Sequence, residues 1–259
     1  MAHETELRRA VESEPLFGQP ISVTVLRDQY ATNAGFLPKI ENMQKRFTRF
    51  RRTRPDGNCF YRSFLFGMFE QLALQPERLK AFVPRAKATL DLCVQVGYER
   101  MAIEDFYDDF MSCVDMLAGK KEGQDVDMDS VNTPSSKGAL VEQIFADFDG
   151  CLVCWARCIC SAFLRQRQED YLAFLSNYSS MQAFCAKEVD PMNTEADHLQ
   201  ITALSTYFEF PVRVLYLDQS EGEMPAEHAF APTSEGEASA ASPVYLLYRP
   251  GHYDLLYVE

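Results

Sequence analysis

The feature that most constrains this chain is the run Cys59-Phe60-Tyr61-Arg62-Ser63-Phe64-Leu65-Phe66-Gly67-Met68-Phe69-Glu70-Gln71-Leu72. Its apolar residues fall on every side of a helical wheel. A helix of that kind has to be buried, so the rest of the chain must wrap around it. The turn formers Pro55, Gly57 and Asn58 stand immediately before it. Asn58 is a good N-cap type, which predicts Cys59 at the first helical position. Free amide N–H groups and the macrodipole at a helix start favour an anion, so they favour the thiolate of a thiol held there. The same N–H groups can hold an oxyanion formed when a thiolate attacks a carbonyl. The plainer reading is that Cys59 packs as a small hydrophobe. Gly67, costly inside a helix, predicts a close packing contact.

The far end of the chain bears on that choice. Residues 244–248, Val-Tyr-Leu-Leu-Tyr, read as a strand, Arg249-Pro250-Gly251 as a turn, and residues 252–257, His-Tyr-Asp-Leu-Leu-Tyr, as a second strand. Alternation puts His252 and Asp254 on one face. A carboxylate beside an imidazole fixes its tautomer and stabilises its protonated form, the supporting role in a Cys-His-Asp triad. The alternative is an exposed polar face.

Together, Arg54-Pro55-Asp56-Gly57-Asn58-Cys59-Phe60-Tyr61-Arg62-Ser63-Phe64 and Tyr245-Leu246-Leu247-Tyr248-Arg249-Pro250-Gly251-His252-Tyr253-Asp254 closely resemble the otubains. These are a branch of the ovarian-tumour (OTU) cysteine deubiquitinases, peptidase family C65. Glu188-Val189-Asp190-Pro191-Met192 with Ala196-Asp197-His198-Leu199-Gln200-Ile201, and the weaker Ile103-Glu104-Asp105-Phe106-Tyr107, agree with it. The resemblance runs from about residue 15 to the C-terminus. It implies Cys59 as nucleophile, His252 as general base, Asp254 as the residue orienting His252, and Asp56 as a shaper of the oxyanion site, chiefly through its backbone. It implies an α/β (α+β), papain-like fold, helix-rich with a small, mainly antiparallel sheet. It also implies ubiquitin and polyubiquitin chains as partners, with a preference for chains linked through ubiquitin's lysine forty-eight, and ubiquitin-conjugating enzymes as a further partner class. No cofactor or metal is required. Gln200 departs from the pattern, standing where related sequences often carry a second His, and so do the Cys-rich helix near Cys151 and the acidic insert at 119–138.

A formal net charge of −13 argues against nucleic acid and suits a partner that presents basic surface, as ubiquitin's arginine-bearing tail does in the family's known substrate. The eight cysteines lie in apolar segments with no signal peptide before them, so a reduced cytosolic or nuclear protein is expected. No apolar run reaches the roughly 18–20 residues that span a bilayer, so no membrane association is expected.

The remaining segments predict one catalytic domain over 15–259, preceded by a mobile arm at 1–14 in which Leu7 to Val11 has the makings of a short helix. Pro20 to Leu26 reads as helical or extended and Phe36 to Phe50 as a helix. The basic cluster Lys45, Arg46, Arg49, Arg51, Arg52 and Arg54 reads as a solvated helix face that pairs with acidic neighbours, the alternative being an anion or nucleic-acid site. Glu77 to Val96 and Ile103 to Leu117 read as helices, the first stopped at Gly97. The stretches 119–138 and 218–243 read as mobile loops; Asp125, Asp127 and Asp129 lack the Gly and Glu of a calcium loop. Residues 139–187 read as three helical segments. The middle one carries Cys151, Cys154, Cys158 and Cys160, which one rigid helix cannot wrap around a metal, so they are expected to pack. Thr194 and Asp197 read as a capping box opening the next helix, and Val212 to Leu217 as a strand.

The function expected is isopeptide hydrolysis at the ubiquitin C-terminus. Two other readings are a regulator that binds ubiquitin or a conjugating enzyme with incidental activity, and a hydrolase for a ubiquitin-like modifier.

Overall fold

The computed structural model describes residues 2–33, 35–120, 133–175, 177–231 and 242–258. The strands are β1 (Ile21–Ser22), β2 (Phe47–Arg51), β3 (Val212–Tyr216), β4 (Ala226–Phe230), β5 (Val244–Arg249) and β6 (His252–Val258). They form one sheet in the order β1-β2-β6-β5-β3-β4. Only β3 and β5 run parallel; the other neighbours are antiparallel. The helices are α1 (Ala2–Ser13), α2 (Val25–Gln29), α3 (Leu37–Met43), α4 (Cys59–Leu74), α5 (Pro76–Lys87), α6 (Thr89–Gln95), α7 (Arg100–Leu117), α8 (Pro134–Gln166), α9 (Gln168–Tyr171), α10 (Met181–Phe184) and α11 (His198–Phe208). A 3₁₀ turn at Leu172–Phe174 and a π-helical turn at Cys185–Val189 complete the set.

Helix α4 lies between the sheet and the long helix α8. Its first fifteen residues are buried apart from Glu70 and Gln71, as the all-round apolar pattern requires. Gly67 is where the helix meets the sheet: a Cβ there would sit 2.8 Å from Val244 Cγ1 and 3.0 Å from Leu255 Cδ1. The sheet is apolar on both faces. Leu246 and Leu255 join the core around α4, while Leu247 and Leu256 join a second core with Leu26, Ile40, Phe47 and Phe50. That explains the unbroken apolar runs in β5 and β6.

Several sequence expectations are corrected. Phe36 to Phe50 is not one helix; α3 ends at Met43 and β2 begins at Phe47. An irregularity between Phe47 and Arg49 lets Phe47 and Phe50 reach the same core, so their spacing of three resembles a helical repeat. The basic cluster does pair with acidic neighbours, Arg46 with Glu227 at 2.6 Å and Arg51 with Glu142 at 2.8 Å, but it is not a solvated helix face throughout, since Arg51 is buried in a strand and lies over the Phe66 ring. Glu77 to Val96 divides into α5 and α6 at Ala88, with Pro84 inside α5. Strand β4 falls inside 218–243; its side chains are nearly all exposed, so no apolar alternation announced it. The N-terminal stretch is helical from Ala2 to Ser13, and Arg54 Nε donates to Glu14 O just beyond it. Residues 121–132, with the three alternating aspartates, lie outside the described residues, and α8 begins at Pro134 under a Thr133 cap.

Candidate active site

Cys59 occupies the first position of α4, but Asn58 does not cap the helix. Its side chain turns away to the 189–194 loop. Oδ1 accepts from the Asn193 N–H at 2.9 Å and from Arg157 Nη2 at 2.8 Å, and Nδ2 donates to Asn193 Oδ1 at 2.7 Å. The consequence lies in the backbone. Asp56 N–H donates to Arg54 O and Asn58 N–H to Asp56 Oδ1. The N–H groups of Gly57 and Cys59 have no partner among the described residues. The free donors beside the sulfur are therefore on Gly57 and Cys59, not on Asp56, whose own N–H is committed.

Asp56 is tied down through its carboxylate. Both oxygens accept from Arg62 at 2.9 Å, and Arg62 also grips Asp149 at 2.7 and 3.0 Å. Burial would raise the Asp56 carboxyl, but the Arg62 hydrogen bonds and charge outweigh it and hold it below the ordinary range. Gly57 has φ +78°, and a Cβ there would fall 2.3 Å from Asn193 O. No residue with a side chain fits that contact.

The other half of the site is the β5–β6 hairpin. Strand alternation aims His252 and Asp254 the same way, and His252 Nε2 bonds Asp254 Oδ1 at 2.7 Å. This leaves Nδ1 as the ring atom free to exchange a proton; it is buried and makes no hydrogen bond of ordinary geometry among the described residues. Tyr253, between the two, donates its backbone N–H to Cys59 Sγ at 3.4 Å, which seats the sulfur against the hairpin. Asp254 is fully buried. It also accepts from the Thr53 N–H at 3.0 Å and from Arg249. Burial opposes its charge, but the hydrogen bond and charge of His252, then Arg249 and Thr53, keep it ionised below the usual carboxylate range. Burial likewise opposes a charged His252, yet the bond to Asp254 and the nearby Cys59 thiol push its pKa up to about 9. The imidazolium is the ring's favoured state at neutral pH.

The structure thus brings Cys59, His252 and Asp254 together and puts Asp56 one loop away. His198 is elsewhere: its ring bonds Asp197 and lies against His228 and Phe230. The cap of α11 is Asp197, not Thr194; Asp197 accepts from His198 N–H and Gln200 Oε1 accepts from Asp197 N–H. Thr194 is held back in the loop because its carbonyl accepts from Arg157. Cys160 is buried and Cys151, Cys154 and Cys158 are half-buried along α8. Among the described residues no cluster of His, Cys, Asp or Glu could hold a metal. Arg62, Asp149, Arg157, Asn193, Arg249 and Thr53 escaped the sequence reading as site residues. The one available signal was an arginine inside each of two apolar helices, which demands buried partners.

With this geometry in hand, comparison with known proteins is specific. The family model for Peptidase C65 Otubain matches residues 9–258. Ubiquitin thioesterase OTUB1 of Homo sapiens is 33% identical over 260 residues, spanning 99% of this chain and 89% of that protein. The OVARIAN TUMOR DOMAIN-containing deubiquitinating enzyme 1 of Arabidopsis thaliana is 33% identical over 94% of this chain and 81% of that protein. A solved ceOTUB1 ubiquitin aldehyde UBC13~Ub complex contains a chain that superposes with a TM-score of 0.85 at 27% identity, covering 100% of both. On these grounds, and with Cys59 seated against a His–Asp hairpin, this chain belongs to the otubain family of cysteine peptidases.

Proposed function

We propose that the protein is a cysteine deubiquitinase that cleaves isopeptide bonds at the C-terminus of ubiquitin, with chains linked through ubiquitin's lysine forty-eight as its preferred substrate. The observation that carries the reading is the Cys59 sulfur at the tip of a buried helix, seated on the Tyr253 N–H beside a His252–Asp254 pair. Kinship with ubiquitin thioesterases supports the substrate class. The Cys59 thiolate attacks the carbonyl carbon of ubiquitin's terminal glycine. The Gly57 and Cys59 N–H groups receive the oxyanion. The imidazolium of His252 gives its proton to the departing lysine amine, leaving a thioester on Cys59. Neutral His252 then takes a proton from water as the hydroxide adds, and the thiolate leaves with ubiquitin's carboxylate restored. Asp254 holds the ring with Nδ1 on the reaction side throughout. The eight free cysteines and a thiolate nucleophile fit a reducing compartment, cytosol or nucleus.

A second reading has one observation behind it. The solved structures it resembles include OTUB1 bound to ubiquitin aldehyde together with UBC13~Ub or UBCH5B~Ub. We propose a ubiquitin-charged conjugating enzyme as a further partner, bound without need of the thiol.

The test is a ubiquitin whose C-terminus carries a thiol-reactive electrophile, applied to wild type and Cys59→Ala. An adduct in wild type and none in the variant is expected, followed by fastest cleavage of lysine-forty-eight chains in a linkage panel. No adduct with folded wild type would overturn the hydrolase reading. Equal cleavage of all linkages would overturn the preference. Undiminished binding of a charged conjugating enzyme by Cys59→Ala is the outcome the second reading requires.

A further inference from the structure

The nucleophile loop is tied down on one side by a cation with an unusual set of partners. Arg157 is buried in the middle of α8, and its guanidinium lies 4.2 Å over the Tyr61 ring. Nη2 shares its two N–H groups among Gly57 O at 3.0 Å, Asn58 Oδ1 at 2.8 Å and Thr194 O at 2.7 Å. Nη1 donates to Val189 O at 2.9 Å, at the end of the π-helical turn. All four acceptors are neutral. Nε is buried and has no partner among the described residues. Burial disfavours the charge and lowers the Arg157 pKa, the reverse of what Arg62 experiences between its two carboxylates. A buried guanidinium without an ion pair is expensive, and simple packing between α8 and α4 would be met by an apolar side chain. What the guanidinium supplies is direction. It fixes the two residues that immediately precede the sulfur, Gly57 through its carbonyl and Asn58 through its side chain, and locks both to the 189–194 loop.

We infer that Arg157 is a positioning residue for the oxyanion site: together with Asn193 it holds the Gly57–Cys59 backbone so that its free N–H groups point where negative charge develops. The inference rests on the hydrolase reading above. It places the burden on the tetrahedral intermediate, not on ubiquitin affinity or on the thiol itself.

The experiment uses the full chain. kcat and KM are measured on ubiquitin bearing a C-terminal fluorogenic amide, in parallel with the rate of Cys59 alkylation by chloroacetamide, a displacement that creates no oxyanion. For Arg157→Met, kcat should fall about a hundredfold, the scale of a small misplacement of a reacting group. KM and the alkylation rate should stay within about threefold of wild type, the split that marks an interaction made only in the transition state. Asn193→Gly keeps the left-handed backbone at φ 64° and removes only the side-chain partner of Asn58. It should show the same split with a fall of about tenfold, and it decides the matter alone if Arg157→Met does not fold. Alkylation falling in step with kcat would overturn the inference, because the thiol would then be what Arg157 holds. So would a kcat within about threefold of wild type in every variant that folds. Wild type that is alkylated normally but does not turn over ubiquitin amide would overturn the hydrolase reading instead, and the alkylation control separates the two failures.

Discussion

The two halves of the site are built by different means. The base half is made by backbone regularity. His252 and Asp254 face the same way because they are two apart on β6, and the β5–β6 ladder, with Arg249 opposite His252 and Leu247 opposite Asp254, sets their position. The nucleophile half is made by side-chain cross-links. Residues Arg54 to Asn58 belong to no strand or helix. They are pinned by Arg62 through Asp56, by Arg157 through Gly57 and Asn58, and by Asn193 through Asn58. A ladder is redundant, since many hydrogen bonds define its register. A cross-linked loop has no repeating register behind it, so the loss of one tie shifts the residues it holds. Damage should therefore spread differently in the two halves.

A pair of matched glycine substitutions separates the two halves most strongly. Gly57 and Gly251 both adopt a left-handed backbone, with φ +78° and +77°. Alanine carries the same local penalty at each, about 1–2 kcal/mol. Their surroundings differ. A Cβ at Gly57 meets backbone atoms of Asn193 at 2.3 to 3.0 Å, whereas one at Gly251 meets the end of the Glu195 side chain at 3.3 Å. Gly57→Ala must push the two loops apart and should lower kcat by ~100-fold or more, the effect of displacing a reacting group. Gly251→Ala should cost only the local strain, with kcat within about fivefold of wild type. Comparable losses in steady-state assays of both would end the distinction between a brittle loop and a redundant hairpin.

The base half makes its own prediction through pH. Asp254 and the neighbouring thiol raise His252 from 6.5 to about 9. Because the folded value is the higher one, the associated stability is fully present below pH 6.5 and is lost as pH rises through about 9. Its scale is on the order of 3 kcal/mol, an upper figure shared with Asp254 since both belong to one ion pair. Protonation of the leaving amine needs the imidazolium, so the alkaline limb of kcat should lie near 9. Asp254→Asn leaves an acceptor for Nε2–H but no charge. It should bring that limb down by at least about one unit, with a fall in melting temperature that is larger at pH 6 than at pH 10, where only the Arg249 ion pair is lost. An alkaline limb that does not move between wild type and Asp254→Asn would mean that another group governs it.

How much of this was legible follows the same division. Cys59 at a helix start and the His252–Asp254 alternation are local patterns, and a single sequence displays local patterns directly. So is the all-round apolar character of α4, which forced its burial. Arg157 and Asn193 lie 99 and 135 residues from Asn58, and nothing within a window of ten residues joins them. Asn58 has the composition of a cap, but the Asn193 and Arg157 partners outcompete the helix for its side chain, and propensity alone cannot anticipate that. The missed strands have physical reasons too. β1 spans two residues, β4 exposes nearly every side chain, and β2 carries an irregularity that disguises its period.

Besides the Tyr253 N–H on the sulfur, a second residue joins the halves. Thr53 donates its backbone N–H to Asp254, and its hydroxyl pairs with Ser63 Oγ at 2.7 Å inside α4, with both residues buried. The base carboxylate is thereby linked to the nucleophile helix through a single side-chain contact. Thr53→Val keeps the N–H and the shape but leaves Ser63 unpaired, and Ser63→Ala does the converse. Each should cost about 1–2 kcal/mol in denaturant unfolding, the range for stranding a buried hydroxyl. The double variant strands neither group, so it should cost less than the two singles combined, with a coupling of roughly 1 kcal/mol. If the hydroxyl pair also transmits position from helix to hairpin, Thr53→Val should lower kcat by a few-fold while the alkaline limb stays in place, because the N–H to Asp254 is retained. Additive stabilities would dissolve the pair as an interaction. Coupled stabilities with unchanged kcat would show that the two halves are held together there but tuned separately, which is the stronger form of the contrast between them.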